Sequence, residues 1–168
     1  LRAAMHCQSN DDYRHFLRGV HIKNNHVEAC NGHVAVRMTM DDSCERDLII
    51  SIKSKVPASA RQTVMVLEGE TIAKHYDIAD NLIAVSVIEV IEGDYPNFDK
   101  FIPSESSPVT EIGVNPVYVN LWPKMFKESR SSMKMKFNGE KSVIRLTSTS
   151  AVINQNYGDP LFLIMPVK

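Results

Sequence analysis

What the 168-residue chain lacks narrows it first. Cysteine is scarce: Cys7, Cys30 and Cys44 are the only three, at spacings of 23 and 14. An odd number without a Cys-x-x-Cys pair offers neither a zinc knuckle nor a redox dithiol, so all three read as reduced thiols. Long apolar runs are missing too. The longest, 82–85 and 161–167, fall far short of the roughly 18 residues that span a bilayer, and no basic-then-apolar signal peptide opens the chain. A cytoplasmic protein with no membrane contact is expected. Charge of one sign is also lacking, with 19 basic against 20 acidic side chains and a net charge of −1. That excludes coating nucleic acid through bulk charge and confines any such contact to a local basic patch. Because the sequence starts at Leu1 rather than at a methionine, an upstream piece is expected to belong to it.

What is present is alternation. With 43% hydrophobic and 23% charged residues, the composition is that of a globular chain of one to one and a half domains, which buries about two thirds of its unfolded surface. Apolar residues recur at every second position over 20–22, 27–29 and 34–38, and again over 63–67, 71–78, 82–91, 133–137, 143–147, 151–154 and 161–165. Turn residues separate them at 24–26, 68–70, 79–81, 138–140 and 157–159. The pattern predicts short antiparallel strands. Helix is scarce: Asn115-Pro116 opens the one strong candidate, 115–130, with Val117, Leu121, Trp122 and Met125 on one stripe and Pro123 inside. A second helix is expected to end within 1–8, and Pro57 weakens any helix over 53–62. The serine- and proline-containing stretch 93–107 reads as a connector. It divides the chain into units 1–103 and 104–168.

The most informative residues are Asn31-Gly32-His33-Val34-Ala35-Val36, between two alternating strands. Taken alone they form a tight turn in which Gly32 supplies a positive φ and His33 is exposed. Catalysis by His33 would need an orienting carboxylate and a nucleophile, and spacing supplies neither. No Gly-x-Ser-x-Gly or phosphate-binding loop occurs, and no histidine pair has metal-binding spacing. No catalytic residue, metal or cofactor is expected. The pairs Asp11-Asp12 and Asp41-Asp42 read as solvated caps beside turns or strand boundaries.

The turn keeps particular company. Downstream stand Glu92-Gly93-Asp94-Tyr95-Pro96-Asn97-Phe98 with Ile102-Pro103, then Gly113-Val114-Asn115 ahead of the helix, and Met165-Pro166-Val167-Lys168 at the end. In that order these segments resemble the bacterial sliding clamp, the β subunit of DNA polymerase III. The resemblance runs over approximately 2–168 and implies a β-rich α+β fold of clamp-like antiparallel sheets with few helices. It departs from the family in lacking the first of three domains, in reducing the helix near 53–62 to a proline-containing stub, and in ending without the usual leucine. A middle domain is joined directly to the second half of the last, so two such chains cannot close the usual six-domain ring.

The resemblance further implies a non-enzymatic replication processivity or accessory factor, or a competitor of one, forming homo-oligomers. Its partners would be linear peptides of polymerase or repair proteins, and duplex DNA. In the family such peptides enter an apolar pocket, whose walls match Gly32, His33, Val34 and Ala35 on one side and Leu163, Ile164, Met165, Pro166 and Val167 on the other. Methionine and aliphatic surface at two strand ends suits an extended apolar peptide, although the tail also fits a terminal core strand. The helix would face DNA through Asn120, Lys124, Lys127 and Arg130, with Lys134 and Lys136 in the same basic cluster; a merely solvated helix face fits those charges equally. An enzyme of unknown reaction on a β-rich scaffold, with His33 in its site, is the alternative of a different class.

Overall fold

The computed structural model describes residues 1–11, 13–104, 107–127 and 132–167. The alternating segments form β1 (Val20–Cys30), β2 (Val34–Ile52), β3 (Gln62–Val66), β4 (Ile72–Tyr76), β5 (Leu82–Ile91), β6 (Met133–Lys136), β7 (Ile144–Ser148) and β8 (Leu161–Ile164). Every pairing is antiparallel, in the order β3-β4-β5-β2-β8-β7-β6, and β1 lies against β2. The helices are short: α1 (Arg2–Met5), α2 (Pro116–Val119), α3 (Leu121–Met125) and α4 (Ala151–Tyr157). The chain therefore has the expected β-rich α+β fold with few helices.

β2 organises the rest. Along one edge it pairs with β1, Cys30 opposite Ala35 at one end and Val20 opposite Ile50 at the other. Along its other edge Val34–Arg37 meets β8 and Ile49–Ile52 meets β5. The β1–β2 ribbon is bent, because register shifts flank Asn24, whose φ is 53°. On a straight strand seven residues span about 23 Å, yet the side chains of His21 and Glu28, seven apart, meet at 2.9 Å. The turn expected at 24–26 is thus a bend inside β1, opposite a stretch of β2 that carries the extra residues. Asp41 and Asp42, expected as boundary caps, stand exposed within β2 itself.

Period two sorts the sheet into two faces. Val34, Val36, Ile144, Leu146, Phe162 and Ile164 enter the larger core with Trp122, Phe126 and α1. Ala35 and Leu163, one residue out of phase, join Leu17, Cys30, Phe98 and Val143 in a second cluster. Both faces are therefore covered, and the second cluster is the smaller.

Two helix expectations are corrected. Over 115–130 the chain makes two short helices meeting at Asn120, not one long one. Pro123 has no N–H for the carbonyl of Val119 and its ring crowds that carbonyl, so the turns cannot run on continuously; residues 128–131 lie outside those described. The segment 151–154, expected as a strand, begins α4, which at seven residues exceeds the other three. Ser150 caps it by accepting the Ile153 N–H at 3.4 Å, and Gly158 ends it with φ 60°. Gly158 also accepts the Thr39 N–H through its carbonyl at 2.8 Å. A Cβ there would lie 1.8 Å from the Thr39 oxygen. Gly158→Ala is expected to lower the unfolding free energy by more than about 2 kcal/mol, seen as a lower urea midpoint.

Candidate functional site

The hairpin between β1 and β2 builds the site. Asn31 accepts the N–H groups of His33 and Val34 on its side-chain oxygen, each at 3.0 Å, and Gly32 takes φ 89°. This turn holds the His33 carbonyl outward, where it accepts the Met165 N–H at 2.8 Å. Pairing continues through Val34 opposite Ile164 and Ala35 opposite Leu163. Segments about 130 residues apart in sequence are thereby joined.

Between them opens an apolar pocket of about 260 Å³, lined by Cys30, Gly32, His33, Val34, Ala35, Phe101, Val143, Leu163 and Met165. Six of the nine residues expected in the two walls line it. Ile164 does not, because it alternates with Leu163 and Met165 and is wholly buried in the larger core. Pro166 and Val167 lie past the strand, and Val167 donates its N–H to Gly113 at 2.9 Å. Cys30, Phe101 and Val143 are the wall residues that sequence reasoning missed. Alternation from Ala29, a core position, would have turned Cys30 to this face. At the mouth the His33 ring stacks on Tyr118 of α2, centroids 5.5 Å apart. Arg14 stands close to Gly32, where a Cβ would come within 3.2 Å of the guanidinium. Among the described residues no carboxylate or hydroxyl is hydrogen-bonded to the His33 ring.

Next to the pocket lies a charged cluster. The Glu28 carboxylate, 4% exposed, receives His21 Nδ1 at 2.9 Å and Arg37 Nε. His21 Nε2 is 2.7 Å from Asp47, which also takes Lys23 Nζ at 2.7 Å. Burial opposes charge on His21, but its bonds to Glu28 and Asp47 prevail and raise its pKa above 6.5. Burial likewise opposes ionisation of Glu28, yet His21 and Arg37 hold it below 4.5.

The basic residues separate. Lys124 and Lys127 are exposed beside α1, with Cys7 Sγ 3.6 Å from Met125 Sδ. Desolvation, then the charges of Lys124, Lys127 and Arg2, lower the pKa of His6, so Arg2 and His6 belong to this patch. Asn120 is exposed at the α2–α3 junction, Lys134 and Lys136 are exposed on β6, and Arg130 lies outside the described residues.

No family model matches this chain, and no curated protein is similar to it in sequence. Solved structures are similar in fold. The β subunit of DNA polymerase from Streptococcus pyogenes superposes with a TM-score of 0.66 at 16% identity, over 99% of this chain and 62% of that one. The sliding clamp of Bacillus subtilis gives 0.62 at 14%, over 99% and 60%. A sliding clamp of Bartonella birtlesii bound to griselimycin gives 0.57 at 12%, over 99% and 64%. The chain has the sliding-clamp fold and spans about 60% of the length of the clamps it matches. No helix among the described residues is long and apolar enough to cross a membrane.

The cluster makes stability depend on pH in a defined direction. His21, raised on folding, contributes stability that is complete below pH 6.5 and is lost as pH rises through its folded value. Glu28, lowered on folding, contributes stability that is complete above pH 4.5 and is lost as pH falls through its folded value. In urea titrations the stability advantage of wild type over His21→Gln is expected to be largest below pH 6.5 and to decline as pH rises through the folded value of His21.

Proposed function

We propose that this protein is a non-enzymatic clamp-type accessory factor of DNA replication or repair that captures linear peptides from polymerase or repair proteins. The observation that carries the reading is the closure of the His33 turn on Met165, which makes an apolar pocket from two distant segments. At about 260 Å³ the pocket is smaller than the sites that enclose whole small molecules, and it suits one or two side-chain anchors of an extended peptide. The pair His33–Tyr118 and the side chain of Met165, 41% exposed, offer flat and adaptable surface at its rim.

Duplex DNA is the second ligand we propose, held through phosphates by Asn120, Lys124, Lys127 and Arg130. The gathering of Arg2 with Lys124 and Lys127 favours this, because cations brought together from two helices attract phosphate without reading bases. Self-association is proposed through the outer strands β3 and β6, each with one neighbouring strand among the described residues. The connector would divide the chain into units 1–103 and 104–168, working in the cytoplasm.

Peptide capture is tested by fluorescence anisotropy with an acetylated, amidated peptide ending in Leu-Phe, and by titration with griselimycin. Met165→Ala is expected to weaken peptide binding by about 1–3 kcal/mol with an unchanged unfolding midpoint. Equal affinity of wild type and variant, or turnover of a substrate dependent on His33, would sink the reading. DNA binding should be weak, indifferent to sequence and steeply reduced by salt, and Lys124→Ala with Lys127→Ala should lower its salt slope by about 2.

A further inference from the structure

The ion cluster beside the pocket contributes none of the residues that line it. It lies on the same face of the β1–β2 ribbon as the pocket. Glu28 opposite Arg37 is two residues along from Cys30 opposite Ala35, a distance of about 7 Å. Segment 95–101 crosses that face and is gripped there repeatedly. The Tyr95 ring stacks on His21 with centroids 4.5 Å apart, and its hydroxyl accepts the Cys30 N–H at 2.8 Å. Arg37 donates Nη1 to Asp99 at 2.7 Å and sets its guanidinium 4.4 Å from the centre of the Phe98 ring. Glu28 anchors both His21 and Arg37. The gripped segment runs directly into Phe101, whose ring meets that of Phe98 edge-on at 6.0 Å between centroids and which forms a wall of the pocket.

We propose that His21, Glu28 and Arg37 are positioning residues for the pocket, clamping segment 95–99 so that the Phe101 wall is fixed, and that loss of the His21 proton releases the clamp. The proposal rests on the peptide-binding reading above. An imidazole with a carboxylate at each nitrogen has two donors only as the cation. Once neutral it turns a lone pair toward Glu28 or Asp47, and a buried carboxylate loses part of its compensation.

The groups facing His21 are Glu28 from β1, Asp47 from β2 with Lys23 behind it, and Tyr95 from the connector; Arg37 stands one bond further and Asp99 two. Asn24 and His26 line the same cleft. Burial raises the pKa of both Cys30 and Tyr95 above their ordinary values, which keeps them neutral while His21 titrates. Cys30 and Tyr95 also connect the two sites directly, since one lines the pocket and the other covers His21.

The test follows peptide affinity by anisotropy from about pH 6 to about pH 9, using the same acetylated, amidated Leu-Phe peptide. Wild type is expected to bind at least about fivefold more weakly at the alkaline end. His21→Gln should bind weakly throughout and lose that dependence. Asp99→Asn, an exposed change that spares the buried carboxylate, should weaken binding at every pH and leave the unfolding midpoint unchanged. The protection factor of the Cys30 amide supplies a readout independent of peptide: it should fall at alkaline pH in wild type and stay flat in His21→Gln. A common pH profile for wild type and His21→Gln, or Cys30 protection that is constant across the range, would overturn the proposal. Absence of peptide binding at every pH would defeat the peptide-binding reading instead, and the Cys30 amide would still decide whether the clamp opens.

Discussion

β2 is paired on both edges, and the rest of the molecule depends on that double pairing. Its first residues lie between β1 and β8 and its last between β1 and β5, so the ends of one strand tie the amino-terminal ribbon to two other parts of the sheet. A strand so placed cannot slip by one residue without exchanging its faces, which would send Val34 and Val36 out of the larger core and Ala35 into it. The register that fixes the fold therefore also fixes which side chains reach the pocket.

The second face shows how one geometry serves two purposes. At its open end the side chains are small or flexible, with Ala35, Cys30 and Met165, and a concavity remains. Farther along, Glu28, Arg37 and His21 take the corresponding positions, and the bulged bend brings His21 round to close the cluster. The bend costs two register shifts in the β1–β2 ladder. It gains a compensated buried carboxylate and a platform for Tyr95. Without it, residues of one strand seven positions apart could not share a proton-dependent contact.

Much of the fold was legible because period two is a strong signal in strands with one well-defined core face. The Asn31-Gly32 turn was equally readable, since a positive φ and a side-chain cap leave few residue choices. The meeting of the 32–35 and 163–167 segments came from resemblance to the clamp family, as nothing local in either stretch specifies the other. Failures arose where the period was broken or brief. Ala151–Tyr157 is too short to separate from a strand by alternation, and its helical signals are its ends, Ser150 and Gly158. The bend at Asn24 inverts the phase along β1, which hid the convergence of His21 with Glu28. Cys30, Phe101 and Val143 come from three different segments, so their common pocket exists only after packing.

The central claim is that alternate residues of one sheet divide between a sealed core and a surface able to take a peptide. Methyl NMR of the full chain during titration with the Leu-Phe peptide tests it most directly. Shifts confined to Ala35, Val143, Leu163 and Met165, with Val36, Leu146 and Ile164 unmoved, are the predicted result. Equal perturbation of both sets, or shifts centred on Ile164 and Leu146, would contradict it.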